Sequence, residues 1–218
     1  MKTITEVIND TLCELHTMKE SNNDSSFCFP RYANGKLRIS EQELRICLIK
    51  NLYQAHYKRI TVETPTKYAY SFKGGVKCKK KEEDIDIQQN NEDCKYLSAR
   101  LDLTLLKEDN ASFDTIFELK AHSGTTDDAL YRDFVKLTTE EADKRFFIMI
   151  IDGNQEGHRG KDGAIASIGK KLISCFKENS TETKINKSIL SWCIFYDIDK
   201  NEDITKKIED YINKNDKK

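Results

Sequence analysis

An α/β fold, with a mixed central sheet flanked by helices, is what this sequence predicts. Three observations carry that expectation. Apolar residues recur with a helical period near the N-terminus and again after Ser40; apolar, β-branched and aromatic runs separated by turn-forming residues fill the middle; helical and strand patterns then alternate to residue 198.

Ile4, Val7, Ile8, Leu12, Leu15 and Met18 stand at helical spacing and predict an N-terminal helix over 3–18. Residues 20–26 are polar and turn-rich, and 27–32 form an irregular apolar connector. Ser40-Glu41-Gln42-Glu43 has the form of a capping box, in which the hydroxyl and the glutamate three residues on satisfy each other's backbone N–H groups. Leu44, Leu48, Ile49, Leu52 and Ala55 follow on one face. A β-rich stretch over 60–73 includes the alternating Tyr68, Tyr70 and Phe72. The hydrophilic stretch 77–93 predicts a loop or a short excursion. Strands are expected over 96–106 and 114–122, joined as a hairpin by a polar connection. A helix over 125–141 has Ala129, Leu130, Phe134 and Leu137 on its inner face. The run Arg145 to Gly153 is apolar enough for a strand buried on both faces. A helix over 163–179 and a strand over 189–198 complete the pattern, which contains no internal repeat.

With 218 residues and 38% hydrophobic content the chain can bury one substantial core. Lys and Arg number 36 against 37 Asp and Glu, for a net charge of −1, so any basic binding face must be local. The densest basic cluster, Lys77 to Lys81, reads equally as a solvated hairpin tip and as a phosphate contact. The cysteines (Cys13, Cys28, Cys47, Cys78, Cys94, Cys175 and Cys193) are odd in number and lack CxxC spacing, which excludes a zinc knuckle or a disulfide framework and fits a reducing cytoplasm. Met1 to Glu6 lacks a signal-peptide core, and no stretch approaches the roughly 18 apolar residues of a membrane span. A soluble, cytoplasmic protein with no membrane partner is expected.

The chemistry-bearing residues sit within the strand patterns. Asp102 lies in Leu101-Asp102-Leu103-Thr104-Leu105-Leu106, and Glu118 and Lys120 lie in Thr115-Ile116-Phe117-Glu118-Leu119-Lys120-Ala121-His122. Alternate strand residues share a face, so Glu118 and Lys120 project side by side, with His122 beyond them. An adjacent antiparallel strand can bring Asp102 within a few ångströms of that pair. Oxygen ligands of this kind suit Mg²⁺, which one or two carboxylates hold together with waters and phosphate oxygens.

Asp102, a fifteen-residue gap and Glu118-Leu119-Lys120 resemble the signature of the PD-(D/E)xK nuclease superfamily. The order helix, three strands, helix, strand from Ser40 resembles that superfamily's restriction-endonuclease-like αβββαβ core, here with an added N-terminal helix. The resemblance covers about Ser40 to Ile198. Leu101 stands where a proline often precedes the aspartate. The resemblance implies one nuclease-like domain over 1–218, with an N-terminal helical extension (1–39), a core (40–198) and a charged C-terminal helix or tail (199–218).

By the same resemblance Asp102 and Glu118 become metal ligands for Mg²⁺, with Mn²⁺ as a substitute, and Lys120 becomes the cation that orients or activates the attacking water. Two nearby carboxylates raise a lysine pKa rather than lower it, which favours water positioning and charge stabilisation over general base work. The superfamily often adds a glutamate from the helix before the first strand. On a helical wheel Glu41 shares the apolar face, whereas Glu43 falls on the far side and has the capping role, so Glu41 is the choice for that catalytic carboxylate. Tyr131, Arg132, Asp133 and Lys136 sit on the following helix, where Arg132 or Lys136 could reach a phosphate and solvated helix charges are the first reading. Gly153, Gly157, Gly160 and Gly163 match neither GxxxxGK[ST] nor GxGxxG and read as a flexible connection, with Arg159 and Lys161 as backbone contacts.

The function so implied is Mg²⁺-dependent endonucleolytic cleavage of nucleic acid, DNA before RNA, in restriction or antiphage defence. A homodimer or a partner defence protein would supply a second active centre. The alternative is a non-catalytic nuclease-fold subunit that binds nucleic acid or acts as a scaffold.

Overall fold

The computed structural model describes residues 1–21, 28–35, 37–71, 77–80, 97–121, 125–152, 163–177 and 185–215. Helix α1 (Ile4–Glu20) begins at Thr3, whose side chain and Glu6 form a reciprocal capping box. Helix α2 (Glu41–Gln54) begins at Ser40, and there the partner in the box is Glu43. Strands β1 (Ile60–Ser71), β2 (Lys77–Lys80), β3 (Leu97–Leu106) and β4 (Phe113–Ala121) follow, then α3 (Asp127–Thr139), β5 (Ala142–Ile151) and α4 (Gly163–Lys177). A 3₁₀ turn (Lys187–Trp192), β6 (Cys193–Asp197), β7 (Glu202–Asp203) and α5 (Thr205–Asn215) end the chain.

Among the described residues the strands form one seven-stranded sheet in the order β2-β1-β3-β4-β5-β6-β7. It is mixed: β4, β5 and β6 run parallel, and the remaining neighbours pair antiparallel. Helices cover both faces, as the sides of β5 make plain. Phe147, Met149 and Ile151 pack with Leu130, Phe134, Leu172 and Ile208 of α3, α4 and α5. Ile148 and Ile150 pack on the other face with Leu12, Leu15, Leu44 and Leu48 of α1 and α2. A strand buried on both faces is the reason that run is continuously apolar.

The outcome departs from the sequence expectation in three places. Residues 77–80 form strand β2 against β1, where a loop was expected; 81–96 lie outside the described residues. Residues 189–192 belong to the 3₁₀ turn, because Asn186 caps it through the Ser188 N–H at 2.8 Å, so the last long strand starts at Cys193. Of the helix or tail expected at the charged C-terminus, the described residues form the helix, α5, whose Ile208 and Ile212 are fully buried. Helix α1 likewise belongs to the core rather than to an extension, since Lys19 pairs with Asp152 (3.2 Å) and Asp199, and His16 Nδ1 lies 2.7 Å from the Ile198 carbonyl.

Two irregularities of the sheet position the site. Among the described residues the β3–β4 register ends at Leu103↔Phe117, while β3 remains on β1 through Thr64↔Leu101 and β4 remains on β5 through Ala121↔Ile150. The sheet therefore forks at Asp102 and Glu118. On the β1 side the register shifts between Pro65 and Ala69. The fully buried Glu140 accepts hydrogen bonds there from the Lys67 and Tyr68 N–H groups (3.0 and 3.2 Å) and the Tyr70 hydroxyl (2.7 Å). Backbone donors freed from the ladder are thus satisfied by a side chain.

Candidate functional site

The fork is where the sequence-predicted residues meet. Asp102 Oδ2 accepts the Leu119 N–H at 2.8 Å, so the carboxylate replaces a ladder partner where the two strands part. Its Oδ1 accepts from Arg45 Nη2 of α2 at 3.0 Å. Arg45 also reaches Glu63 Oε1 at 2.7 Å. Glu63 has a φ of +50, a left-handed conformation unusual for a residue with a Cβ.

Glu118 points to the α3 side and is completely buried. The Lys136 ammonium stands 2.7 Å from its Oε1, and Oε2 has no hydrogen-bond partner among the described residues. Burial, first, and then the charge of Asp133 push the Glu118 carboxyl well above the usual glutamate range, against the opposing pull of Lys136. Lys120 lies 2.9 Å from Asp133 Oδ2 and 3.8 Å from Glu41 Oε2. Burial works to lower the Lys120 pKa, but Asp133, Asp102 and Glu41 outweigh it and the net shift is upward. The ammonium is therefore a fixed cation near neutral pH. Glu41 is held above its ordinary value by partial burial, with Lys120 opposing. Glu43, in contrast, is consumed by the Ser40 cap through both the backbone N–H (3.2 Å) and the hydroxyl.

Three charged groups at the fork were not joined to Asp102, Glu118 and Lys120 by the sequence. Asp133 and Lys136 of α3 are buried rather than solvated, and Lys136 bridges Glu118, Asp133 Oδ1 (2.9 Å) and the Arg100 carbonyl (3.0 Å). Two carboxylates hold its proton on despite burial, so its pKa is raised. A signal existed: Asp133 is three residues after Leu130 and four before Leu137, in the apolar stripe of the helix. Arg45 had none, because its link to Asp102 spans 57 residues. Arg132 is exposed, as expected. His122, Gly153, Gly157, Gly160, Arg159 and Lys161 lie outside the described residues.

The donor chemistry can be weighed against a divalent cation. Five carboxylates (Glu41, Glu63, Asp102, Glu118 and Asp133) face three cations (Arg45, Lys120 and Lys136), an excess of two formal negative charges only if every carboxyl is ionised, and the burial of Glu118 opposes that. Glu118 Oε2 is a buried acceptor without a partner, and the donors are hard oxygens, as Mg²⁺ requires. Against this, Asp102 and Glu118 each already face a cation. Among the described residues no group of three or more His, Cys, Asp or Glu is arranged to hold a metal. Two carboxylates completed by waters would fit, provided Arg45 and Lys136 yield.

A cleft of about 450 Å³ opens beside Lys120 and Glu41, lined also by Tyr32, Arg38, Ile39, Ser40, Gln42, Ala121, Thr125 and Ala129. Among the described residues no helix is long and apolar enough to cross a membrane. No family model matches the chain, nor does any curated protein or solved structure.

Proposed function

We propose that this chain is a metal-dependent nuclease of the PD-(D/E)xK kind, acting on a phosphodiester bond at the fork between β3 and β4. The observation that carries the reading is the convergence of Asp102, Glu118 and Lys120 there, beside a buried Glu118 Oε2 that has no hydrogen-bond partner among the described residues. Asp102 and Glu118 would hold Mg²⁺, which when bound neutralises phosphate charge and makes a water more acidic. Lys120, kept protonated and pinned by Asp133, supplies a positioned positive charge for the phosphate or for the attacking water. Glu41 faces the same ammonium from the cleft side and helps to aim it. Arg45 is placed to trade its contact with Asp102 for one with a substrate phosphate. The order α2–β1–β2–β3–β4–α3–β5, in which the short edge strand β2 is added to an αβββαβ succession, supports the superfamily reading; DNA is the expected substrate, and restriction or antiphage defence is the setting it suggests. Cutting both strands calls for two copies or a partner chain, since one such centre attacks one bond at a time.

A second reading has its own support. With Arg45 on Asp102 and Lys136 on Glu118, the fork also reads as a structural ion-pair network, as a non-catalytic nucleic-acid-binding or scaffold subunit would keep. One experiment separates the two. Purified protein is incubated with supercoiled plasmid and with linear and single-stranded DNA, in Mg²⁺ or Mn²⁺ and in EDTA. Metal-dependent, EDTA-sensitive cleavage that Lys120→Ala abolishes supports the nuclease; no cleavage of any substrate in either metal overturns it.

A further inference from the structure

The cleft beside the fork has features that the chemistry of Asp102, Glu118 and Lys120 does not use. Its outer wall is the hairpin-like segment around the Arg31↔Leu37 bridge. That segment is held firmly: the Gly35 N–H donates to the Tyr32 carbonyl at 2.9 Å, Arg31 Nη1 donates to the Gly35 carbonyl at 2.8 Å, and the Arg38 N–H donates to the Pro30 carbonyl at 2.7 Å. Gly35 takes a φ of +80, which a residue with a Cβ would resist, so the turn is set by sequence. Onto the cleft it presents Tyr32, half exposed, and Arg38.

Neither side chain has a structural task. The Arg38 guanidinium and the Tyr32 hydroxyl have no hydrogen-bond or ion-pair partner among the described residues. Every cation at the fork, by contrast, is paired with a carboxylate. An unpaired guanidinium suits a phosphate, and an exposed phenol ring suits a base, since stacking needs only a π-face. At about 450 Å³ the cleft lies toward the lower end of the roughly 300–1,000 Å³ typical of small-ligand sites. A volume of that order suits a single nucleotide, whereas a base pair would have to be opened to enter.

We infer that this cleft is a subsite for one unpaired nucleotide adjoining the bond that is cut, with Arg38 on its phosphate and Tyr32 stacked on its base. The assignment rests on the nuclease reading for the position of the cut bond, but the binding itself does not need catalysis. The substrate class that follows is a single strand, a frayed end or a flap, in preference to intact duplex. A deoxyribo- or a ribonucleotide strand would offer the same phosphate and base.

The test is fluorescence anisotropy in EDTA, with labelled single-stranded DNA, the same sequence as RNA, a blunt duplex, and a duplex carrying a single-stranded overhang. Wild type should bind single strands and the overhang at least about tenfold more tightly than the blunt duplex, and the DNA and RNA arms show which strand is favoured. Tyr32→Ala should weaken single-strand binding about tenfold while Tyr32→Phe, which keeps the ring, should not. Arg38→Ala should weaken it and reduce the dependence of log affinity on log salt by about one phosphate contact. Both residues lie on the cleft wall away from the core, and thermal melts check that the variants are folded. Unchanged binding by Tyr32→Ala and Arg38→Ala, or preference for blunt duplex, overturns the subsite. If plasmid is cleaved in Mg²⁺ all the same, the nuclease reading survives that failure. Binding lost as expected in the variants, with no cleavage by wild type, upholds the subsite and overturns the nuclease reading.

Discussion

The Asp133 carboxylate stands 2.9 Å from the Lys120 ammonium through Oδ2, and its other oxygen stands 2.9 Å from Lys136. One acid on α3 therefore fixes two lysines, one from β4 and one from its own helix. Because all three groups are largely withdrawn from water, removing the shared acid leaves two cations short of a partner. Breaking a buried pair from one side costs on the order of 3–5 kcal/mol. Asp133→Asn is expected to lower the unfolding free energy by about 3 kcal/mol in urea titrations, and in the nuclease reading to slow cleavage more than it weakens substrate binding. A variant as stable and as active as wild type would show that the lysines are held by something else.

Glu118 separates two kinds of substitution. Glu118→Ala opens a cavity and strands Lys136, so it is expected to destabilise by roughly 3 kcal/mol or more and is a poor probe of catalysis. Glu118→Gln keeps the shape. Its effect has a pH signature: above the ordinary glutamate value of 4.5 the unfolded chain releases this proton while the folded chain retains it. The folded state then binds more protons than the unfolded state, so stability falls as pH rises through the window up to the raised folded pKa. Glutamine cannot ionise, and wild type should lose stability relative to Glu118→Gln as pH rises above 4.5 toward the raised folded value. Denaturant midpoints across that range measure it; a constant difference would mean that Glu118 titrates normally.

Much of this architecture is legible from local patterns, and the exceptions share a physical cause. Helices α1, α2 and α3 and strand β5 follow from periodicity and caps, because each buries one stripe or two faces. The 3₁₀ turn at 187–192 was masked by Ile189 and Leu190, which are apolar in either conformation and buried here. The co-location of Asp102, Glu118 and Lys120 was readable because strand alternation and a hairpin suffice for it. Arg45, Glu63 and Lys136 were not, since ion pairs across elements depend on how helices seat on the sheet, which spacing along the chain does not encode. The same applies to the fork, set by where the β3–β4 register ends.

Glu41 and Glu43 are expected to part company when mutated. Glu43 spends its carboxylate on Ser40, so Glu43→Ala should cost about 1 kcal/mol of stability as a lost cap, with cleavage per folded molecule little changed. Glu41 makes no cap and faces Lys120 across 3.8 Å, so Glu41→Gln should leave thermal stability nearly unchanged while impairing cleavage or its Mg²⁺ dependence. Mg²⁺ titrations of cleavage beside melting curves give both readouts. The opposite pairing of effects would transfer the site role to Glu43.

Glu63 holds Arg45 against Asp102 from a backbone conformation that suits glycine, which gives the last prediction its sign. Its side chain is partly exposed, so the pair itself contributes at most about 0.5 kcal/mol. The left-handed φ of +50 costs a residue with a Cβ about 1 kcal/mol. Glu63→Ala loses the pair and keeps that strain, whereas Glu63→Gly loses the pair and relieves it. Within an ordinary strand glycine is the worse of the two by roughly 0.5–1 kcal/mol. That entropic cost offsets part of the relief here, so Glu63→Gly should be the more stable variant by at most about 0.5 kcal/mol in urea unfolding. Alanine proving clearly the more stable would show that residue 63 sits in ordinary extended backbone.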